Sequence, residues 1–319
     1  MTNNNSQKTF LVFNTSHFGD TLLCNSLCQN IKKLYPDSKI IFIVNKPFAD
    51  AAKYQKDVDE VISFDKFGEH KSIINRLKFI INFPYKRADY SFVTYRNNTN
   101  SLFSRLIFSK HIIEYNKKHI YTPMQEYFVQ LLKQITDKPI SYVPMKYEVT
   151  KELPENLSKY FDADKKYVGL CTLTTNIQKD IPVETAYEII NRLSEKGYTC
   201  VFLGLGNQAL QYSEDLKKRG CKFIDLINKT SIKELGSVLK NCEALISADT
   251  GVMHMGCAVD IPVVSVFYLK DYVTQWAPDG NLYKCTVISE NQTAENICNS
   301  LETLLNSGLR SADEFASRS

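Results

Sequence analysis

Short apolar runs alternate with amphipathic segments along most of the chain. In the first half, β-rich apolar runs predict buried parallel strands at residues 9–14, 39–44, 58–64 and 90–95. Apolar residues spaced three or four positions apart predict helices at 21–34, 72–82, 97–109 and 123–138, with a short helix between the second and third strands. Strand, helix and strand in succession form a βαβ unit, so this half is predicted to be a parallel α/β domain.

The second half repeats the pattern. Its strands are predicted at residues 166–172, 198–204, 221–225, 243–247 and 262–267, and its helices at 183–196, 208–219, 231–239, 251–259 and 293–306. Between Pro139 and Pro154 the periodicity fails and three prolines interrupt the chain, which indicates a linker. The predicted domains are residues 1–148 and 149–319, and the polar tail 308–319 is predicted to be disordered.

Two α/β halves of similar size predict an α/β fold of two Rossmann-like domains whose parallel sheets face a central cleft. The length agrees, because 319 residues exceed the usual size of a single core. A hydrophobic fraction of 44% with 23% charged residues is typical of a soluble globular protein. The chain has no apolar run of about 18 residues, and its polar first nine residues lack the apolar centre of a secretory signal, so a cytoplasmic location is predicted.

Positive charge is concentrated in one segment. The net charge of the chain is +4, but the segment from Lys66 to Lys118 contains eleven Lys or Arg and three acids. Such a patch favours an acidic partner or peripheral contact with an anionic membrane surface, and a solvated lysine-rich face is the alternative. Because no nucleic-acid-binding motif accompanies the charge, no nucleic-acid partner is predicted.

The nine cysteines are scattered and include no C-x-x-C pair, a pattern typical of reduced, buried thiols. Cys24 and Cys28 lie one helical turn apart, so a shared metal ion or a disulfide is kept as an alternative for this pair. No further ligands follow at metal-site spacing, and neither a metal nor a cofactor is predicted.

Three polar corners follow predicted strands. At the first, Gly19 permits close approach of another backbone, and Asp20 can act as a general base or merely cap a helix. At the second, Thr174, Thr175 and Lys179 precede a Pro-initiated helix. Hydroxyls and a lysine in that position suit a diphosphate, and an ordinary exposed loop is the alternative.

The third corner is Asp249-Thr250-Gly251, between an apolar strand and a helix. Backbone N–H groups at a helix N-terminus attract an anion such as phosphate, and Asp249 would lie at the carboxyl end of its strand, where ligands bind in open α/β sheets. A plain N-cap is the alternative. A glycine-rich turn at residues 204–208 lacks the full dinucleotide fingerprint, so no nicotinamide site is predicted there.

In order and spacing, these corners resemble the bacterial ADP-heptose:lipopolysaccharide heptosyltransferases, glycosyltransferase family 9. The resemblance extends from Phe10 to about Val287. The matching motifs are Ser16-x-x-Gly19-Asp20, Thr174-Thr175 with Lys179-x-x-Pro182, Lys229-Thr230-Ser231-Ile232-Lys233-Glu234-Leu235, Asp249-Thr250-Gly251-x-x-His254 and Pro262-Val263-Val264.

The resemblance implies a GT-B fold with the acceptor on the first domain and the sugar nucleotide on the second. It implies inversion at the anomeric carbon without an essential metal, with Asp20 as catalytic base and Lys179 at the donor phosphates. The predicted donor-binding residues are Thr174, Thr175, Lys179, Gln208, Asp249, Thr250, Gly251 and His254. The predicted acceptor-binding residues are Ser16, Gly19, Arg105, Lys117 and Lys118. For His254, contact with the donor and packing in the core are both left open.

The function implied is transfer of heptose from ADP-heptose to a lipopolysaccharide or lipooligosaccharide core acceptor that is acidic or phosphorylated. Two departures from the family pattern bear on specificity. Residues 267–271 read Phe-Tyr-Leu-Lys-Asp where the family has a Phe-Gly-Pro-Thr-type loop, and Asn207-Gln208 stand near the position of a family glutamate. The alternatives are another nucleotide sugar or acceptor, such as a capsule glycan or a protein, and a non-catalytic scaffold that binds nucleotide sugars.

Overall fold

The computed structural model describes residues 7–95, 98–115 and 122–307, and the chain divides into two compact units, Met1–Met145 and Lys146–Ser319. The sequence placed this boundary three residues later, between residues 148 and 149. Residues 308–319, predicted to be disordered, lie outside the described residues.

The first unit is built on one parallel sheet, in the strand order β3-β2-β1-β4-β5. Its strands are β1 (Thr9–Asn14), β2 (Lys39–Asn45), β3 (Glu60–Phe64), β4 (Tyr90–Val93) and β5 (His111–Glu114). Its helices are α1 (Phe18–Leu23), α2 (Asn25–Leu34), α3 (Ala49–Lys53), α4 (Ile73–Ile81), α5 (Asn98–Leu106) and α6 (Met124–Gln130). Strands β1 and β2 are buried along nearly their whole length, as expected of central strands covered on both faces.

The second unit is built on a six-stranded parallel sheet, in the order β11-β10-β9-β6-β7-β8. Its strands are β6 (Lys166–Cys171), β7 (Tyr198–Phe202), β8 (Ile224–Asp225), β9 (Ala244–Ala248), β10 (Val263–Val266) and β11 (Cys285–Ile288). Its helices are α7 (Glu155–Ser158), α8 (Val183–Glu195), α9 (Asn207–Lys218), α10 (Ile232–Lys240), α11 (Gly251–Ala258), α12 (Val273–Trp276) and α13 (Ala294–Asn306).

Both sheets have a point where the strand order reverses. In the first unit it lies between β1 and β4, and in the second between β6 and β9. Loops at the carboxyl ends of the two strands on either side of such a point diverge and leave a crevice, which is where open α/β sheets bind ligands. The topology therefore places the corner at Ser16–Asp20 at one switch point, and the corners at 174–182 and 249–251 together at the other.

Helix ends follow local sequence signals. Ser72 caps α4 by accepting a hydrogen bond from the Asn75 backbone N–H, and Ser231 and Glu234 form a capping box at the start of α10. Gly197 (φ 81°), which follows α8, has the left-handed conformation that glycine adopts without strain. Gly256 allows α11 to pack closely against the sheet, because a Cβ at this position would come within 2.8 Å of the Leu245 side chain.

The α/β fold of two parallel, Rossmann-like sheets is confirmed, with local corrections. The predicted helix 21–34 begins at Phe18 and is interrupted by a turn at Cys24, so Asp20 lies inside the first helix. Strands β5 and β11 were missed. Each is a four-residue edge strand whose residues are mostly half-buried, and such strands carry a weak hydrophobic signal.

Candidate functional site

Two of the predicted site residues meet at the switch point of the second unit. Lys179, in a short 3₁₀ turn after β6, places its Nζ 2.7 Å from Oδ2 of Asp249, which directly follows β9. The side chains of Lys179 and Asp249 are 16% and 8% exposed. Asp249 is therefore a partner of Lys179 and not the N-cap of α11, so the plain-cap alternative is wrong for this residue.

Thr250 caps α11. Its Oγ1 accepts a hydrogen bond from the Val252 N–H at 3.1 Å and lies 3.3 Å from the Ser247 hydroxyl. Since the first N–H groups of a helix lack intrahelical partners and carry the positive end of the dipole, the start of α11 at Gly251 provides donors beside the Lys179 ammonium. Lys179 and the start of α11 thus place hydrogen-bond donors at this edge of the sheet, beside the Asp249 carboxylate.

The loop that carries Lys179 is shaped by side chains bonded to its own backbone. The Thr174 N–H donates to Oδ1 of Asp180 at 2.7 Å, and the Thr174 hydroxyl donates to the Asn176 carbonyl at 2.7 Å. Asn176 in turn accepts from the Gln178 N–H. Thr174 therefore has a structural role in the loop, whereas Thr175 is exposed and lies where a ligand can reach it.

Sequence reasoning missed Tyr272, whose ring lies 3.9 Å from Lys179 Nζ, measured to the ring centroid. An ammonium over an aromatic face is held by a cation–π interaction. Lys179 is thus fixed from two sides, by the Asp249 carboxylate and by the Tyr272 ring. The substituted stretch at 267–271 immediately precedes Tyr272, and only the tertiary contact identifies the residue as part of the site.

The remaining donor-site candidates differ in exposure. Gln208 is exposed in the first turn of α9, at the carboxyl end of β7, which neighbours β6. His254 is 4% exposed, and this burial favours core packing over contact with the donor. Beneath the corner, burial raises the pKa of the Cys171 thiol to about 11, so Cys171 is a protonated, buried thiol at neutral pH.

Asp20 lies at the switch point of the first unit, as the third residue of α1. Its Oδ2 accepts a hydrogen bond from the Ser16 hydroxyl at 2.6 Å and one from the His17 N–H at 3.3 Å. The N-cap of α1 is His17, and Asp20 is the third helical residue of a capping box, in which its carboxylate accepts from the N-cap N–H. Among the described residues both bonds reach Oδ2, and the carboxylate is 15% exposed. Oδ1 is therefore the oxygen that can accept a proton from a bound hydroxyl.

Neighbouring strands hold this corner in place. Asn14, at the end of β1, donates from its amide to Oγ1 of Thr94 after β4, at 3.1 Å across the switch point. Its Oδ1 accepts from the Ser16 N–H at 3.1 Å. Gly19 is half-buried in α1 beside Asp20. Ser16 is buried and bonded to Asp20, so it orients the carboxylate.

His17 gives this corner a pH-dependent neighbour. The Asp20 carboxylate, whose Oδ2 lies 3.7 Å from His17 Nδ1, raises the pKa of His17 above its ordinary value, against a smaller lowering by burial and by Lys66. Because the folded-state pKa is raised, this pair stabilises the fold fully below the unfolded pKa of about 6.5, and the contribution is lost as pH rises through the folded pKa.

The raised pKa of His17 is testable by NMR. Titration of the ring protons should give a midpoint above 6.5 for His17, assigned through His17→Gln, and the midpoint should fall in Asp20→Asn because the attracting carboxylate is gone. An unchanged His17 midpoint in Asp20→Asn would contradict the pairing.

The predicted acceptor-binding cations are only partly described. Arg105 is exposed, and its Nη2 lies 3.3 Å from Oε1 of Glu114. Lys117 and Lys118 lie outside the described residues.

All nine cysteines are free thiols and eight of them are buried, as predicted, so the disulfide alternative for Cys24 and Cys28 is wrong. In the described parts of the chain, no three His, Cys, Asp or Glu side chains are grouped so as to hold a metal ion, and no helix has the length and apolar character to cross a bilayer.

Comparison with solved structures supports the fold. The glycosyl transferase family 9 protein from Veillonella parvula DSM 2008 superposes with a TM-score of 0.80 at 20% identity, over 94% of this chain and 98% of that one. E. coli heptosyltransferase WaaC with ADP gives 0.75 at 19% identity, over 93% and 99%. WaaC with ADP-2-deoxy-2-fluoro heptose gives 0.71 at 18% identity, over 94% and 100%. At these identities the likeness shows a common fold.

Sequence comparison shows the family. Lipopolysaccharide heptosyltransferase 1 of Escherichia coli O18:K1:H7 (strain RS218 / NMEC) is 24% identical over 195 residues, which are 57% of this chain and 58% of that protein. The chain thus spans little more than half the length of this curated relative. The model of glycosyltransferase family 9 (heptosyltransferase) matches residues 101–303, well over half of the chain, and with it most of the second unit and its Lys179–Asp249 corner. The chain therefore belongs to glycosyltransferase family 9.

Proposed function

We propose that this protein is a glycosyltransferase that moves heptose from ADP-heptose to a lipopolysaccharide or lipooligosaccharide core acceptor, with inversion at the anomeric carbon and without an essential metal. The observation that carries the proposal is the pairing of Lys179 with Asp249 beside the start of α11, in a member of family 9. Relatives named as lipopolysaccharide heptosyltransferase, and a structural neighbour solved with ADP, support the choice of donor and acceptor.

The second unit has the chemistry that a nucleoside diphosphate requires. As the sugar leaves, negative charge grows on the diphosphate, and a lysine with helix N-terminal N–H groups stabilises that charge in the transition state. Lys179 and the first residues of α11 supply both. This arrangement supports metal independence, since the role of a divalent cation at the leaving group can be taken by fixed positive charge.

The first unit has a carboxylate suited to a general base. Oδ2 of Asp20 is held by Ser16 and the His17 N–H, so the carboxylate has a fixed orientation. Inversion requires the acceptor hydroxyl to attack the anomeric carbon from the face opposite the diphosphate, with its proton removed during attack. The role of Asp20 is to accept that proton at Oδ1.

The proposal extends to an acidic or phosphorylated acceptor and to peripheral association with the cytoplasmic face of the inner membrane. The basic segment from Lys66 to Lys118 supports both, because phosphates and acidic sugars are attracted by such a field. Within it, Lys110 is 2.7 Å from Asp89 and Arg105 is paired with Glu114, so the charges of these two residues are partly neutralised.

A different donor or acceptor is the second candidate. The substituted stretch at 267–271, followed by Tyr272 over Lys179, favours it, because this part of the site differs from the family pattern. A capsule glycan or a protein acceptor fits the same chemistry. A non-catalytic scaffold that binds nucleotide sugars would not need the Asp20 carboxylate, and the chain has it.

Thermal-shift titration with ADP, UDP, GDP and CMP, followed by a transfer assay with ADP-heptose and a heptose-free core acceptor, tests the proposal. A ligand that binds only the folded state stabilises it by about 2.7 kcal/mol at a hundredfold excess over its dissociation constant. We expect ADP alone to raise Tm, and NMR of the product to show the inverted anomer. Preference for UDP or GDP would favour the second candidate, nucleotide binding without transfer would favour the scaffold, and no nucleotide binding would refute the proposed donor site.

A further inference from the structure

The outward face of α4 is apolar. Ile73, Leu77 and Ile81 follow one another at intervals of about one turn and are 73%, 46% and 64% exposed, and Ile74 beside them is also exposed. Phe67, in the loop before the helix, is exposed as well. A surface helix of a globular protein normally turns polar residues to the solvent, so an exposed stripe of this kind marks an interaction surface.

The opposite side of α4 packs on the core of the first unit, and this packing fixes which residues of the helix are exposed. Phe79 and Ile80 pack on the core cluster of the first unit, and the Phe79 ring lies 5.3 Å from the rings of Phe64 and Phe103. Ser72 caps the start of the helix. Phe79 and Ile80 are covered by the described fold, whereas Ile73, Ile74, Leu77 and Ile81 are not, so this second apolar face is available for a partner.

Positive charge surrounds the stripe. Residues 66–87 contain six Lys or Arg and one acid, Glu69. The basic residues are Lys66, Lys71, Arg76, Lys78, Lys86 and Arg87. Lys71 lies just before α4, Lys78 on its exposed side, and Lys86 just beyond its end, and all three are exposed. The occupant must therefore combine apolar and anionic groups.

We infer that α4 docks the first unit onto an anionic lipid bilayer. Ile73, Ile74, Leu77 and Ile81 would enter the boundary between head groups and acyl chains, and the surrounding lysines would contact lipid phosphates, as in interfacial amphipathic helices. A second copy of the chain is a poorer occupant, because a two-fold interface through this face would bring the same basic residues against themselves.

The docking surface adjoins the corner that carries Asp20. Nζ of Lys66 donates a hydrogen bond to the Thr15 carbonyl at 2.9 Å and lies 4.9 Å from the centroid of the Phe67 ring. The loop before α4 thus contacts the residue next to Ser16. A bilayer bound through α4 would hold a lipid-linked acceptor close to Asp20. Bilayer binding by α4 deepens the membrane association given under the proposed function, and this last step also rests on the proposed transfer reaction.

Vesicle co-sedimentation of the full chain tests the docking surface. We expect binding to phosphatidylcholine vesicles containing 30% phosphatidylglycerol in 50 mM salt. Binding to pure phosphatidylcholine should be weak because this lipid carries no net charge. Binding to the anionic vesicles should also be weak in 500 mM salt, because salt screens the attraction between the lysines and the lipid phosphates. Ile74→Glu with Leu77→Glu should reduce the binding at least tenfold. The matched control is Leu210→Glu, which changes an exposed leucine on α9 of the second unit and should bind as wild type.

Charge reversal isolates the electrostatic part. Lys71→Glu with Lys78→Glu should reduce binding to the anionic vesicles at least tenfold and remove its salt dependence. Circular dichroism and Tm of every variant should match wild type, because all four changed side chains are exposed on α4 or just before it. Transfer to an acyl-free soluble acceptor should be unchanged in Ile74→Glu with Leu77→Glu, while transfer by this variant to acceptor embedded in anionic vesicles should fall.

Several outcomes would overturn the inference. Equal binding to neutral and anionic vesicles would refute the anionic surface, and wild-type binding by the Ile74/Leu77 variant would refute the helix. Dimerisation of wild type in light scattering, lost in that variant while vesicle binding persists, would make a second copy the occupant. If the wild type bound no nucleotide, the proposed transfer reaction would be refuted, while vesicle binding would still decide the inference about α4.

Discussion

Asp20→Asn should lower kcat by about 10²- to 10⁴-fold, the usual contribution of a general base, with little change in ADP affinity. Asparagine preserves the size of the side chain and an oxygen that can accept from Ser16 and the His17 N–H, so the fold of the corner should persist. It lacks the negative charge and basicity needed to take a proton. The measurements are kcat and KM with ADP-heptose, and ADP binding by calorimetry.

The pH profile separates a base from a positioning residue. The acid limb of kcat/KM, where protonation of a catalytic base abolishes activity, should be absent in Asp20→Asn. Asp50→Asn is the matched control, because it removes a first-turn carboxylate from α3 of the same unit and should retain wild-type kcat. If Asp20→Asn kept the acid limb and lost activity only through a higher acceptor KM, Asp20 would bind the acceptor and the base would be another group.

Lys179→Met should both destabilise the second unit and weaken ADP binding. The pair with Asp249 is largely buried, and removal of one partner from a buried ion pair costs about 3 to 5 kcal/mol because the other charge stays desolvated. Because the Lys179 and Asp249 side chains are still 16% and 8% exposed, the loss in free energy of unfolding should be about 3 kcal/mol. Loss of a charged hydrogen bond to the diphosphate, worth about 1.5 to 3 kcal/mol, should raise the ADP dissociation constant about ten- to a hundredfold.

A double variant distinguishes these two effects. Lys179→Met with Asp249→Asn removes both charges, so it should recover much of the unfolding free energy lost in Lys179→Met while ADP affinity stays low. Lys217→Met is the matched control, because its pair with Asp225 has the same 2.7 Å separation but an exposed lysine. It should cost about 1 kcal/mol or less and leave ADP binding unchanged. Full recovery of ADP affinity in the double variant would show that Lys179 only neutralises Asp249.

Much of the fold could be predicted from the sequence because its signals are local. Central strands such as β1 and β9 are mostly apolar runs. Gly197 and Gly220 mark the ends of α8 and α9, because glycine adopts the left-handed conformation that follows a helix. The exceptions are physical. Strands β5 and β11 are short, half-covered edges, and the turn at Cys24 carries neither glycine nor proline to mark it.

The sequence by itself determined the alternation of strands and helices, the family motifs and the identities of the polar corner residues, because these depend on neighbours along the chain. Only the tertiary structure decided which corners meet. The strand order brings Lys179 to Asp249 across 70 positions of sequence and places Tyr272 over its ammonium. It also decided that Ile73, Ile74 and Ile81 of α4 face outward while Ile80 packs on the core, since the apolar residues of this helix do not specify which of them the sheet will cover.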